Sequence, residues 1–308
     1  MKKKLIEGIK ILFFLLVLFF LGRYFMANWE EIKNIDWNID RFSLITSFLL
    51  YFVYIITLAS LWHFITKLNH CHIRHYDAVI AYLYSIPGKY IPGKVFMLAA
   101  RCPAYEKEHK PVRKITVCFL LENACTLLGA AFLFLISLFF FPNALLEKYK
   151  YWTILLIIAF FICINPKIIN FFLSIIGKIA KKDMCIPVTY PDMLKTVVLF
   201  ILNWLVAGSG FYMLVHAIYP VPASQWLYIG GIYGLSTIIG ILALFAPSGL
   251  GVREGILTAG LCLIMPEEYA VSISLLSRLW QTVAEIILVS GAFLVNQIIK
   301  LKNKKTAE

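Results

Sequence analysis

The sequence has little charge and no polar segment of domain size. Only 15% of its 308 residues are charged, whereas 61% are hydrophobic, and the mean hydropathy is +0.81. The longest polar connections, Arg101–Lys114 and Gly177–Lys195, are too short to fold alone. Soluble domains contain far fewer apolar residues, and helices satisfy their own backbone groups in lipid. The composition therefore predicts one integral membrane domain over residues 1–308, an all-α polytopic membrane helical bundle.

The chain also lacks the cysteine patterns of a disulfide framework or a zinc site. Its seven cysteines are an odd number, and most lie in or beside apolar segments. Four histidines lie between His63 and His75, with Cys71 among them, but their spacing matches no structural zinc pattern. We therefore predict no disulfide framework, no metal and no cofactor.

Acidic residues are scarce, which gives a net charge of +12. The basic residues lie between apolar segments and not in a patch with exposed aromatic residues, which argues against nucleic acid as a partner. If both termini and the loops at 66–76, 101–114 and 167–195 are cytoplasmic, that side holds 20 Lys and Arg residues against five on the other. This asymmetry predicts cytoplasmic N- and C-termini, with anionic lipid head groups beside the basic loops. It does not predict an oligomeric state.

Apolar runs predict about six membrane spans. The N-terminal run has no small-x-small cleavage site, so we predict a retained anchor and not a signal peptide. The predicted spans are Ile9–Met26, Phe42–Ile65, Ile115–Phe141, Tyr151–Asn165 with an interfacial extension over Ile168–Ile176, Leu194–Tyr219 and Val271–Ile299.

Two further apolar stretches are interrupted by proline and glycine and carry cations. Tyr82–Arg101 contains the sequence IPGKYIPGK, and Leu242–Gly260 contains PSGLGVREG. Backbone groups that proline and glycine free at membrane depth must be satisfied by protein or by water in a cavity. Each broken stretch therefore predicts an internal polar site.

The breaks predict an inverted repeat, because each half (about 1–141 and 151–300) holds three spans and one break. Because three is odd, the first half ends on the side of the membrane opposite to where it began. The second half therefore starts from that side and is inverted relative to the first, as in many transporters. The first break is predicted to be re-entrant from the cytoplasmic side, because both flanking loops are basic. Residues 226–265 either re-enter from outside or form two full crossings, since Trp226–Ala246 is long enough to cross alone.

Charged residues recur at helical spacing in two spans. The two sets, each at i, i+4 and i+7, are Glu122, Thr126 and Gly129, and Arg278, Thr282 and Glu285. Each set shares one helix face, which we expect to point inward. The acids would bind a cationic head group or a coupling proton, or would form static ion pairs that fix helix packing.

The cations of the broken stretches suit a phosphate. Arginine can hold a phosphate with two parallel hydrogen bonds, and glycine-rich turns at half-helix N-termini add backbone N–H donors. Alternatively, Lys89, Lys94 and Arg101 extend only to the cytoplasmic interface. Arg253 lies between glycines in a broken run, which favours a role in the site.

Several of these motifs resemble the transmembrane region of lysylphosphatidylglycerol synthases, a flippase-like domain. Pro247–Gly255 is similar to that family's P-x-G-G-x-G-x-R-E signature, and Tyr90–Val95, followed by Arg101, is similar to its Y-x-P-G-K motif. Arg278 matches an arginine usual in the last span. Asn123 departs from the pattern, because members often carry Glu-Arg where this chain has Glu-Asn.

The resemblance implies a stand-alone flippase-like domain of the bacterial cytoplasmic (inner) membrane. Such a domain moves an anionic or aminoacylated phospholipid, or a polyprenyl-linked glycolipid, between leaflets. Large members add a soluble aminoacyl transferase domain after the membrane part, and this sequence shows none before Glu308. The expected activity is therefore translocation without lipid synthesis.

Residues and resemblance together predict a substrate-binding site and no catalytic residue. The site is predicted to comprise Lys89, Pro92, Gly93, Lys94, Arg101, Glu122, Pro247, Gly249, Gly251, Arg253, Glu254, Arg278 and Glu285. An intramembrane enzyme, either a lipid phosphatase or a lipid or lysyl transferase, is the alternative, although Ser85 and Ser248 have no histidine nearby in sequence. A third hypothesis is an accessory subunit of envelope polysaccharide assembly.

Overall fold

The computed structural model describes residues 23, 26, 33, 38–90, 95–141, 150–180, 185–243, 249 and 251–305. Within these ranges the chain is helical, without strands. The helices are α1 (Arg41–Leu68), α2 (His75–Ser85), α3 (Val95–Glu106), α4 (Val112–Phe140), α5 (Lys150–Cys163), α6 (Pro166–Ala180), α7 (Tyr190–Ile218), α8 (Trp226–Leu242), α9 (Val252–Leu261) and α10 (Glu267–Lys305). Short 3-10 helices occupy Ile86–Tyr90 and Ala223–Gln225.

Five segments of the described chain are long and apolar enough to cross a membrane. They are Arg41–Leu68, Val112–Phe140, Tyr190–Ile218, Ala223–Leu242 and Glu267–Ile299. Helices α5 and α6 are bent by 75° relative to each other and would make a sixth span if taken together. The predicted all-α polytopic bundle is confirmed. The predicted first span, Ile9–Met26, lies outside the described residues except for Arg23 and Met26.

Helices α1 and α7 form an antiparallel pair at the centre of the bundle. The Asp40 N–H before α1 donates to the carbonyl of Ala217 near the end of α7, at 2.9 Å. Farther along, the rings of Tyr54 and Trp204 lie 5.9 Å apart. The start of α1 therefore lies beside the end of α7, and this pair defines the two ends of the bundle.

The first broken stretch folds into a helical hairpin, called here the first hairpin (residues 75–106). Arg101 Nε on α3 donates to Ser85 Oγ on α2 at 3.0 Å, and Gly88, which is later in the chain than Ser85, contacts Met97, which is earlier than Arg101, so the two arms are antiparallel. A Cβ at Gly88 would lie 2.7 Å from the backbone nitrogen of Met97, so only glycine fits at this crossing. Tyr105 packs against Trp62 near the end of α1. The hairpin therefore opens toward the C-terminal end of α1.

The second broken stretch forms the second hairpin (residues 226–261). The hydroxyl of Tyr228 on α8 donates to the carbonyl of Gly260 on α9 at 2.9 Å, which fixes an antiparallel arrangement. At about 1.5 Å per residue, α9 is about 15 Å long and too short to cross a bilayer alone. Because α8 follows the end of α7 directly, this hairpin opens toward the opposite end of the bundle from the first.

Helix α10 contacts the tips of both hairpins. Glu285 accepts a hydrogen bond from Lys89 of the first hairpin, and Gln281 accepts one from Arg253 of the second. Residues 281 and 285 lie about one helical turn, or roughly 6 Å, apart on α10. The tips of the two hairpins therefore meet at one level inside the bundle.

Candidate functional site

A cavity of about 240 Å³ lies where the two hairpin tips meet. Its polar and charged lining includes Lys89, Arg101, Glu122, Arg253, Gln281 and Glu285. Aromatic side chains from α1, α2, α7 and α8 form much of the remaining wall. The volume is just below the usual range for small-molecule pockets, which begins at about 300 Å³. The cavity therefore suits a head group better than a whole lipid.

Arg101 and Glu122 form an ion pair inside the bundle. Both guanidinium Nη atoms of Arg101 donate to the carboxylate of Glu122, and the arginine side chain is fully buried. Its Cζ lies 4.3 Å from the ring centre of Trp62 and 4.2 Å from that of Tyr82. Two aromatic faces and a carboxylate replace water around this cation. The geometry holds Arg101 rigidly between α1, α2 and α4.

Lys89 is paired with Glu285 across the two halves of the chain. The ammonium donates to Oε1 of Glu285, which also accepts a hydrogen bond from the Tyr51 hydroxyl at 2.9 Å. The Tyr90 hydroxyl donates to Oε2 at 3.2 Å and lies 3.2 Å from Thr282 Oγ1. Lys89 thus points into the bundle, with only 21% of its side chain exposed.

Glu254 joins the start of α9 to α10. Its Oε1 accepts a hydrogen bond from Arg278 Nε, and its Oε2 accepts one from the backbone N–H of Gly251 at 2.7 Å. The second contact caps the helix at the residue that precedes its first turn. Gly251 has φ +82° and Gly249 has φ +70°, a region that glycine adopts without strain. Gly249 and Gly251 of the second broken stretch therefore shape the turn that positions Glu254 and Arg253.

Arg253 has a different environment from the other cations of the site. It is only 7% exposed and lines the cavity. Its Nη1 donates to Gln281 Oε1 at 3.0 Å, and its guanidinium lies 4.8 Å from the ring centre of Tyr233. Its Nε and Nη2 have no hydrogen-bond partner among the described residues. Arg253 therefore presents buried donors that a ligand could satisfy.

The structure brings most of the predicted residues together. Lys89, Arg101, Glu122, Arg253 and Glu285 line the cavity, whereas Glu254 and Arg278 form a pair behind it. Gly249 and Gly251 shape the turn before α9. The four other predicted residues, Pro92, Gly93, Lys94 and Pro247, lie outside the described residues.

Several site residues were not predicted from sequence. Gln281 bridges Arg253 and Tyr233, since its Nε2 donates to the Tyr233 hydroxyl. A signal for Gln281 exists, because it lies three residues after Arg278 and four before Glu285, on the same helix face. The aromatic residues Trp62 and Trp204 had no such signal, because they do not differ in sequence from lipid-facing aromatics.

Of the two serines considered as a nucleophile in the enzyme hypothesis, Ser85 lies within the described residues and Ser248 does not. Its hydroxyl donates to the carbonyl of Tyr82 at 2.6 Å and accepts a hydrogen bond from Arg101 Nε. An activated serine needs a neighbouring base that takes its proton. Here the proton is held by a backbone carbonyl and the oxygen by a cation, so this geometry does not activate Ser85.

Comparison with known proteins gives one family. The model of the family described as "Lysylphosphatidylglycerol synthase TM region" matches residues 8–288, which is most of the chain. No curated protein matches the sequence. The match covers both hairpins and the cavity between them, and it indicates a role connected with membrane lipid. This multi-pass helical membrane chain therefore belongs to the lysylphosphatidylglycerol synthase transmembrane-region family.

Proposed function

We propose that this protein moves a lipid between the leaflets of the bacterial cytoplasmic membrane, with the head group passing through the cavity between the hairpin tips. The candidate substrates are an anionic or aminoacylated phospholipid and a polyprenyl-linked glycolipid. The observation that carries the proposal is Arg253, a buried cation whose Nε and Nη2 have no partner among the described residues.

The physical requirement for such a protein is a polar path for the head group. A phospholipid crosses slowly because its head group would lose its water in hydrocarbon without gaining other partners. The cavity offers fixed donors and aromatic faces in place of that water. Charged residues inside a membrane are costly and therefore usually serve a substrate path.

The arrangement of the hairpins supports an alternating mechanism. One hairpin opens toward each end of the bundle, and their tips share contacts on α10. Two inverted halves that rock around a central site would expose it to each leaflet in turn, and we propose an inverted repeat of this kind. In the orientation that the basic loops favour, both termini are cytoplasmic, the first hairpin opens inward and the second opens outward.

The test is transbilayer movement by the purified protein in liposomes. Lipids with a fluorescent acyl chain are added, and a membrane-impermeant reductant bleaches only the outer leaflet. We expect the protein to expose inner-leaflet lipid to bleaching, and the variant Arg253→Gln to lose this activity while it remains folded. Arg113→Gln is the matched control, because it removes one positive charge from an exposed position on α4.

The same liposomes test the competing hypotheses. Mass spectrometry of the lipids after incubation would reveal an intramembrane enzyme, because released phosphate or an altered head group would accompany the reaction. An accessory subunit of polysaccharide assembly would neither move nor change lipid on its own. Unchanged transport by Arg253→Gln would remove Arg253 from the path.

A further inference from the structure

Each oxygen atom of the described carboxylates Glu122 and Glu285 already accepts a hydrogen bond from the protein. Both oxygens of Glu122 accept hydrogen bonds from Arg101. In Glu285, Oε1 accepts hydrogen bonds from Lys89 and Tyr51, and Oε2 accepts one from Tyr90. The negative charge of each carboxylate is already balanced by a cation of the protein, so an incoming ammonium group would find no unneutralised carboxylate among these residues.

Glu254 is engaged in the same way. One oxygen accepts a hydrogen bond from Arg278 and the other from the Gly251 backbone. The described residues thus contain three buried carboxylates at the site, each paired with a different cation. Arg253 is an additional cation without such a pair, so the described part of the site carries a surplus of positive charge.

The two donors of Arg253 that have no partner among the described residues, Nε and Nη2, lie on one edge of its guanidinium. The Nε–H and Nη2–H bonds point in parallel directions, which is the geometry that holds two oxygens of one phosphate or carboxylate. The third nitrogen, Nη1, is held by Gln281 at 3.0 Å, and the guanidinium lies against the face of Tyr233. The edge that remains is therefore fixed in orientation and suited to an anion.

The rest of the lining suits the uncharged part of such a head group. Trp204 lies 5.9 Å from Tyr54 and 6.2 Å from Tyr233 between ring centres, so the three rings form a continuous aromatic wall. Asn123 and Thr126 add an amide and a hydroxyl to the lining. Aromatic faces and neutral polar groups match glycerol or a sugar.

We propose that the cavity selects lipids whose head group carries a phosphate with net negative charge and a neutral polyol, and discriminates against head groups that carry an ammonium. This inference rests on the proposed lipid translocation and names its substrate class. A lysyl head group would bring positive charge beside Arg253 and would meet carboxylates that are already paired.

The transport test compares phosphatidylglycerol and lysyl-phosphatidylglycerol with the same fluorescent acyl chain. We expect phosphatidylglycerol to move at least tenfold faster. Arg253→Gln should slow phosphatidylglycerol at least tenfold and leave the slower lysyl lipid nearly unchanged, so that the selectivity disappears. The control Arg113→Gln should retain it. Equal or faster movement of the lysyl lipid by the unaltered protein would overturn the inference.

A binding test separates failure of this inference from failure of the proposed function. Short-chain dihexanoyl forms of the two lipids are titrated into the detergent-solubilised protein, and tryptophan fluorescence is followed, because Trp204 lines the cavity. Tighter binding of the anionic form that depends on Arg253 supports the selectivity even if the protein moves no lipid. Equal or tighter binding of the lysyl form, or no binding of either, overturns it.

Soluble anions provide the last arm of the test. Glycerol 3-phosphate and inorganic phosphate are titrated under the same conditions. If the site takes a lipid head group, we expect both soluble anions to bind more weakly than dihexanoyl phosphatidylglycerol. Saturation by either at the same concentration as the lipid would assign the site to a free anion and overturn the inference.

Discussion

Replacement of Arg101 by leucine should destabilise the protein strongly, because it leaves Glu122 buried without its cation. The pair is bidentate, the arginine is fully buried, and 6% of the glutamate side chain is exposed. Removal of one partner of a buried ion pair costs about 3–5 kcal/mol, because the remaining charge has neither water nor a counter-ion. Loss of the contacts with Trp62 and Tyr82 adds to this cost.

The double variant Arg101→Leu/Glu122→Leu should be much more stable than Arg101→Leu. Removal of both charges also removes the desolvation cost, and replacement of a buried pair by apolar residues is often neutral or stabilising. A double-mutant cycle should therefore give a coupling energy of at least about 2 kcal/mol, near the upper end of values for residues in contact.

The assay is unfolding of the purified protein by increasing SDS in mixed micelles, followed by circular dichroism. The matched control is the exposed pair Arg74–Asp77, whose atoms lie 2.8 Å apart and whose side chains are 85% and 36% exposed. The corresponding cycle, with Arg74→Leu and Asp77→Leu, should give a coupling of about 0–1 kcal/mol. A coupling energy for Arg101 and Glu122 no larger than that of the control pair would refute the reasoning, because it would mean that water reaches the buried pair.

Three further predictions test the turn, a helix cap and the orientation. Gly249→Ala should lower the stability by more than about 1 kcal/mol in the same assay, because φ is +70° and the new Cβ would lie 2.6 Å from the backbone of α8. Gly255→Ala is the control and should not lower it, because no atom lies within 4 Å of the Cβ that this change adds. Asp40 accepts hydrogen bonds from the first turn of α1, which hold the pKa of its carboxyl below the ordinary value of 3.8. Its stabilisation should be complete above that value and lost as pH falls through the lowered pKa, so the thermal midpoints of the unaltered protein and Asp40→Ala should converge at low pH. A membrane-impermeant maleimide applied to intact cells should label the exposed Cys262 and spare the exposed Cys185, and the reverse pattern would invert the proposed orientation.

Much of the fold could be predicted from the sequence, because the bilayer limits the choices. A chain with this apolar share can satisfy its backbone in lipid only as helices. Proline and glycine within Tyr82–Arg101 and Leu242–Gly260 indicated the interruptions. The first contains the 3-10 helix Ile86–Tyr90, and in the second α8 ends at Leu242 and α9 begins at Val252. The length of Trp226–Ala246 left two arrangements open, because hydropathy does not reveal where the chain turns back. The antiparallel contact of Tyr228 with Gly260 is compatible with both arrangements, and Ala223–Leu242 is long and apolar enough to cross a membrane, so the choice between them stays a prediction.

The candidate site was predicted less completely. Helical spacing indicated that Glu122 and Glu285 face inward, and both line the cavity. The spacing left open whether these acids meet a ligand or a cation of the protein. Gln281 was missed because only charged residues of this span were considered for the site, although its spacing from Arg278 and Glu285 places it on their helix face and it holds Arg253 in place.

The sequence by itself determined that the chain is a helical membrane protein with two interrupted stretches that carry cations, because residue type and order suffice for hydropathy and helix breaking. Only the tertiary structure decided which charges neutralise each other. Lys89 meets Glu285 across 196 positions of sequence, and Arg101 meets Glu122 across 21. Such pairing depends on how helices pack against one another. Among the described residues, the same packing leaves one edge of the Arg253 guanidinium without a hydrogen-bond partner, and the α10 side chain that holds its Nη1 is the neutral amide of Gln281.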